Sequence, residues 1–323
     1  WGASLLNGNQ FISINIHNIE EAVRHVDFYD FLVNGVICFI LTSSALKFKV
    51  SDLKVYWKPI SILATIALLL CAVFFAGLVF GFQFLIGNPV PILVLLLLGS
   101  ALGATDPIGI KGVLSSVRAP HHLIVKLEGE SLFNDAMCIA VFMTLLNVLE
   151  GEHFSLMATL QTFLYEIVVA VIIGWAFGLG ILRLLRGKHE MESLILTTAL
   201  LACGSYLVAL FAHASAPIAC VIGGLIVGNK WKEILQDREI REVNHFWHTV
   251  EGIINSFLFT LIGLEIFILD LSTSLILGGI FAFFALHLSR FAANYLAFAF
   301  FPSFRKKSYN GSLAILSWGG VRG

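Results

Sequence analysis

Long apolar runs separated by short polar intervals set the pattern of this chain. A membrane-spanning helix needs about 20 apolar residues, within a range of roughly 17–25. Ten runs approach or reach that length: residues 29–46, 59–82, 90–110, 123–148, 160–182, 191–211, 215–228, 246–269, 274–301 and 309–323. The fourth and ninth are long enough to tilt in a bilayer. The seventh is short. The third is interrupted by Asp106-Pro107, and the tenth contains Gly319-Gly320 and Arg322. The pattern predicts a bundle of about ten apolar helices.

The basic residues thread this bundle. Lys47, Lys49, Lys54 and Lys58 fall between the first two runs, and Lys111 and Arg118 between the third and fourth, with Lys126 in the first turn of the fourth. Arg183, Arg186 and Lys188 follow the fifth, Lys230, Lys232, Arg238 and Arg241 the seventh, and Arg305, Lys306 and Lys307 the ninth. The alternate intervals, 83–89, 149–159, 212–214 and 270–273, contain no Lys or Arg. Cytoplasmic loops carry the Lys/Arg excess, so the odd-numbered runs are expected to cross from outside to inside. Three basic residues remain. Arg24 lies in a polar, amphipathic stretch (19–28), whereas Arg290 and Arg322 fall inside apolar runs.

Composition agrees with a polytopic membrane protein. The 323 residues are 58% hydrophobic and 13% charged, with a mean hydropathy of +0.89; a soluble chain carries about 25% charged residues. A net charge of -1 argues against a nucleic-acid partner. Cys38, Cys71, Cys138, Cys203 and Cys220 all lie in apolar runs without close pairing, and read as small core residues. The chain opens Trp-Gly-Ala-Ser and stops inside its tenth run. It is expected to be one transmembrane domain, 1–323, truncated at both ends.

Against this background the run Glu130-Ser131-Leu132-Phe133-Asn134-Asp135 stands out. An ionised carboxylate at the centre of a membrane helix costs roughly 2.5–3.5 kcal/mol on insertion scales, so it is seldom there without a partner or a function. On a helix Ser131 and Asp135 share one face, and Glu130 and Asn134 form the adjacent pair. Hydroxyl, amide and carboxylate oxygens suit a hard cation such as sodium, or a proton. Arg290 sits near the middle of its run, which favours an ion pair with an intramembrane carboxylate over snorkelling to the interface.

The third run ends Gly103-Ala104-Thr105-Asp106-Pro107-Ile108-Gly109. Proline removes a backbone donor and disfavours helix in the residue before it. One reading is a helix broken within the membrane around Thr105 and Asp106, as secondary transporters build their ion sites. The other is a helix that ends at a cytoplasmic loop, with Asp106 as a cap.

Thr105-Asp106-Pro107, then Glu128-Gly129-Glu130-Ser131-Leu132-Phe133-Asn134-Asp135, then Trp318-Gly319-Gly320-Val321-Arg322-Gly323 closely resemble the NhaP-type monovalent cation/proton antiporters. These belong to the sodium/proton exchanger superfamily, and the resemblance covers essentially the whole chain. It implies an all-α fold with inverted repeats and two crossing discontinuous helices. It further implies that Asp135 binds the cation or carries the proton, with Ser131 and Thr105 as oxygen ligands. Asn134 would be the asparagine of the Asn-Asp pair associated with electroneutral exchange. Glu130 would pair with an arginine on a later helix, for which Arg290 is the candidate. Asp106 and Arg322 would be the charges of the helix crossing. Some archaeal relatives have a glutamate ligand on the helix corresponding to the first run; here Ser43 is the nearest match.

The expected activity is exchange of a monovalent cation, sodium first, for protons by alternating access, with potassium/proton exchange as the alternative. An intramembrane metal hydrolase built on His121, His122, Glu128 and Glu130 lacks a His-Glu-x-x-His motif. No cofactor is expected. The expected setting is the plasma membrane, multi-pass, with a homodimer implied by the resemblance alone. Glu166, Glu251 and Glu265 are expected near span ends, facing water or headgroups. His287, Arg290 and Asn294 share one helical face. Gly174 and Gly178 have the small-xxx-small spacing of closely packed helices.

Overall fold

The computed structural model describes residues 36–87, 90–105, 120–151, 156–187, 190–268, 272–300 and 312–318. Among these residues the chain is helical, with no strand. We label the helices α1 (Ile37–Lys47), α2 (Val50–Ile86), α3 (Ile92–Leu102), α4 (His121–Leu149), α5 (Leu156–Leu185), α6 (Met191–Phe211), α7 (Ala216–Lys230), α8 (Asp237–Ile268), α9 (Thr273–Phe300) and α10 (Ser312–Trp318). Each predicted run overlaps one of them. By length and composition, α2, α4, α5, α6 and α9 can each cross a membrane.

Several boundaries differ from the sequence reading. α2 begins at Val50, so Lys54 and Lys58 ride on the helix and not in a loop. α8 begins at Asp237, taking in Arg238 and Arg241. Lys126 is on α4 and buried, with its ammonium 5.8 Å from the Tyr56 ring centroid. Polar residues extend these helices past their apolar parts, where hydropathy alone gives no signal.

The helices pack as two bundles. In the first, α7 runs between α1, α5 and α6, and α8 lies against α1 and α6. Glycine makes the close approach possible. A Cβ on Gly174 of α5 would run into the Ala219 carbonyl of α7, and one on Gly178 would come within 2.9 Å of Ile226 Cβ. On the opposite side of α7, Gly224 and Gly228 face Ala45 and the Leu46 backbone of α1. Small residues let membrane helices gain dispersion contact where no hydrophobic force drives them together.

The second bundle comprises α2, α3, α4, α9 and α10. Its α2 is irregular. Pro59 lies inside the helix and Tyr56, three residues earlier, leaves helical geometry at φ -115°, ψ 15°. A proline cannot donate to the preceding turn and crowds its carbonyl. One turn later Leu63–Ala67 forms a π-helical turn, and Leu63 and Ala67 pack there with Leu127 of α4 and Ala297 of α9. The bundles meet mainly through α4, which touches α7 and α1 of the first bundle. Leu132, Ala136 and Met137 of α4 share one core with Leu41, Ala45, Ala219 and Val221.

Candidate functional site

The site forms where α3 ends. Helix α3 stops at Leu102, and Gly103, Ala104 and Thr105 follow outside the helix, with Ala104 and Thr105 buried. The last carbonyls of a helix lack intrahelical donors. Here one face of α4 supplies them. Ser131 Oγ donates to the Thr105 carbonyl at 2.7 Å. Asn134 Nδ2 donates to the Gly103 carbonyl at 3.0 Å and to Thr105 Oγ1 at 3.3 Å. Cys138, a turn further on, donates its thiol to the Ser100 carbonyl. Ser131, Asn134 and Cys138 recur at i, i+3 and i+7, so a single helical stripe receives the unwound end of α3.

This arrangement gathers oxygen at the end of a helix whose dipole is negative there. Ser131 and Asn134 are buried, and Asp135 next to them is half-buried. Ser131 spends its proton on Thr105 and keeps oxygen lone pairs. Among the described residues Asn134 Oδ1 has no hydrogen-bond partner although it is buried. An unpartnered buried carbonyl oxygen is uncommon, and a bound cation would satisfy it.

Beside this cluster, Arg290 Nη2 of α9 donates to Glu130 Oε1 at 2.8 Å. The two side chains are 10% and 3% exposed, so the pair is withdrawn from water. Glu130 Oε2 and Arg290 Nε have no hydrogen-bond partner among the described residues. The contact is a single charged hydrogen bond and not a bidentate fork. Asn294, one turn along α9, is buried and donates to Ser317 Oγ of α10 at 3.1 Å. His287, half-buried on the same helix, has Nδ1 2.8 Å from the Phe283 carbonyl.

The structure thus brings Thr105, Ser131 and Asn134 into contact and pairs Glu130 with Arg290. Asp106 and Arg322 lie outside the described residues, as does the stretch after Thr105 in which the broken helix would resume.

Glu251 corrects the sequence reading. It is not at a span end facing water: α8 starts early enough to place it mid-helix, 14% exposed. It accepts from Ser43 Oγ at 3.0 Å and from Lys47 Nζ at 2.7 Å. The Ser43 hydroxyl, the nearest match to an additional ligand, is therefore engaged with α8. Asn229 was also missed. A lone asparagine at the end of the seventh apolar run gives no sign in sequence of the backbone it meets.

The apolar helix α3 ends inside a bundle of apolar helices, and its last carbonyls meet the Ser131 hydroxyl and the Asn134 amide, an arrangement suited to a membrane protein that handles ions. A family model described as sodium/hydrogen exchanger, transmembrane, matches residues 3–323, and the chain belongs to that family. It is 34% identical over 312 residues to the Na(+)/H(+) antiporter NhaP of Pseudomonas aeruginosa, covering 94% of this chain and 73% of that one. It is 29% identical over 240 residues to the Na(+)/H(+) antiporter NhaH of Halobacillus dabanensis, covering 72% of this chain and 58% of that one. In fold it is similar to the sodium proton antiporter MjNhaP1 of Methanocaldococcus jannaschii, with a TM-score of 0.72 at 22% identity over 89% of this chain and 68% of that one. The protein has the all-α antiporter fold and is a multi-pass membrane protein.

Proposed function

We propose that this protein is a secondary transporter that exchanges sodium for protons by alternating access, with Asp135 as the shared binding group. The observation that carries the proposal is the meeting of Ser131 and Asn134 with the unwound Gly103–Thr105 end of α3, next to Asp135 on the same helix. Kinship to sodium/proton antiporters supports the ion assignment.

In this reading the carboxylate of Asp135 holds either a cation or a proton, and competition at that one group couples the two fluxes. Ser131, Thr105 and Asn134 supply neutral oxygens, which coordinate sodium without adding charge that would hinder its release. Glu130 and Arg290 keep α4 and α9 in register, and their charges offset each other. Asp106 and Arg322 act at the helix crossing. The second bundle rocks against the first to expose the site to each side in turn. The protein works as a homodimer in the plasma membrane, a view that rests on the family resemblance.

The test is reconstitution into liposomes with an internal pH dye. A sodium gradient should drive proton movement that saturates with sodium, whereas response to potassium alone would favour potassium/proton exchange. Saturable coupled flux also excludes a channel on the same fold.

A further inference from the structure

The link between α1 and α2 is one of three covalent passages between the bundles; the chain crosses again after α4 and after α8. It consists of Phe48 (φ -80°, ψ 132°) and Lys49 (φ -86°, ψ 119°), both extended. The side-chain amide of Asn229, at the end of α7, closes on this link. Its Oδ1 accepts from the Val50 N–H at 2.7 Å, while its Nδ2 donates to the Phe48 carbonyl at 2.9 Å and to the Leu225 carbonyl at 2.8 Å. The amide pairs with the link as a neighbouring backbone would. It also satisfies the first N–H of α2, which the Lys49 side chain does not cap.

Neighbouring contacts fix α1 on the same side. Gly228, adjacent to Asn229, admits the Leu46 backbone at a distance no side chain would allow. Ser43 and Lys47 both hold Glu251 of α8. The Phe48 ring reaches the other bundle. A Cβ on Gly129 of α4 would lie 3.1 Å from Phe48 Cζ, and still closer to Ile60 Cδ1. Gly129 immediately precedes Glu130 and Ser131. One residue therefore has its backbone held by the first bundle and its ring seated on the helix that carries the site.

We propose that Asn229 is a positioning residue of the transport cycle: it pins the Phe48–Val50 link as a pivot on which the second bundle turns, with the Phe48 ring bearing on Gly129. The proposal rests on the exchange reading above. Asn229 touches no group of the ion site, so its loss should slow turnover and leave equilibrium sodium binding intact.

The experiment compares wild type, N229A and N229D in liposomes for sodium-driven proton movement, and in detergent for the rise in thermal unfolding temperature caused by sodium. N229A should lose about tenfold of maximal rate, an increase of about 1.4 kcal/mol in the barrier, while the sodium-induced rise is unchanged. N229D keeps the acceptor for Val50 but sets an anionic oxygen against the Phe48 and Leu225 carbonyls, and should be no faster than N229A. A wild-type rate in N229A overturns the proposal. So does loss of sodium protection in step with rate, or failure of both variants to fold, since the amide would then serve the site or the fold and not the pivot. A wild-type protein that moves no protons overturns instead the exchange reading, and the pivot with it.

Discussion

Arg290 Nη2 lies 2.8 Å from Glu130 Oε1, joining α9 to the helix that carries Ser131, Asn134 and Asp135. Removing one member of a buried pair leaves the other charge uncompensated and costs about 3–5 kcal/mol. Arg290→Ala should therefore lower the thermal unfolding temperature markedly, as well as impair transport. The exchanged pair Glu130→Arg with Arg290→Glu should recover part of that loss. Unchanged stability in Arg290→Ala would show that the pair does not hold the two helices.

Ser131→Ala removes the donor to the Thr105 carbonyl and one oxygen of the cluster. A neutral hydrogen bond contributes about 0.5–1.5 kcal/mol net, so folding should survive. Apparent sodium affinity should fall by roughly tenfold, the equivalent of about 1.4 kcal/mol. Sodium titration of exchange in liposomes measures this. Thr at the same position restores a hydroxyl and should restore most of the affinity.

Glycine positions should separate cleanly by what surrounds them. Gly228→Ala places a methyl group against the Leu46 backbone, which cannot swing aside. Overpacking of this kind costs about 1–3 kcal/mol. Gly77, on α2, has no atom within 4 Å of its would-be Cβ, and Gly77→Ala should leave stability unchanged or slightly raised. Thermal unfolding of the two variants side by side checks the packing of α7 on α1.

Sequence patterns revealed some parts of this structure and not others, for physical reasons. Apolar runs located the helices because the bilayer requires continuous apolar length. An isolated charge in such a run needs a partner, which marked Arg290 for an ion pair, and the family resemblance pointed to Glu130 as that partner. The end of α3 near Thr105 was signalled by the Asp-Pro that follows. The start of α2 at Val50 was not, since Lys54 and Lys58 look like loop residues in a one-dimensional profile. The π-helical turn at Leu63–Ala67 left no trace in a run of apolar residues. Asn229 was passed over, and Glu251 was assigned to water, because their roles depend on which helix lies opposite. Spacing along one chain does not give that information.

The most direct measurement is sodium-driven proton movement in liposomes carrying folded Asp135→Asn protein beside wild type. Asparagine nearly preserves the shape of the side chain and removes the group that can bind a proton. Wild type should acidify or alkalinise the lumen as the sodium gradient dictates, and Asp135→Asn should show no movement above protein-free liposomes while unfolding at a similar temperature. Exchange retained in Asp135→Asn with ordinary apparent sodium affinity would contradict the assignment of Asp135 as the shared cation and proton group, and would turn attention to Asp106 or Glu130.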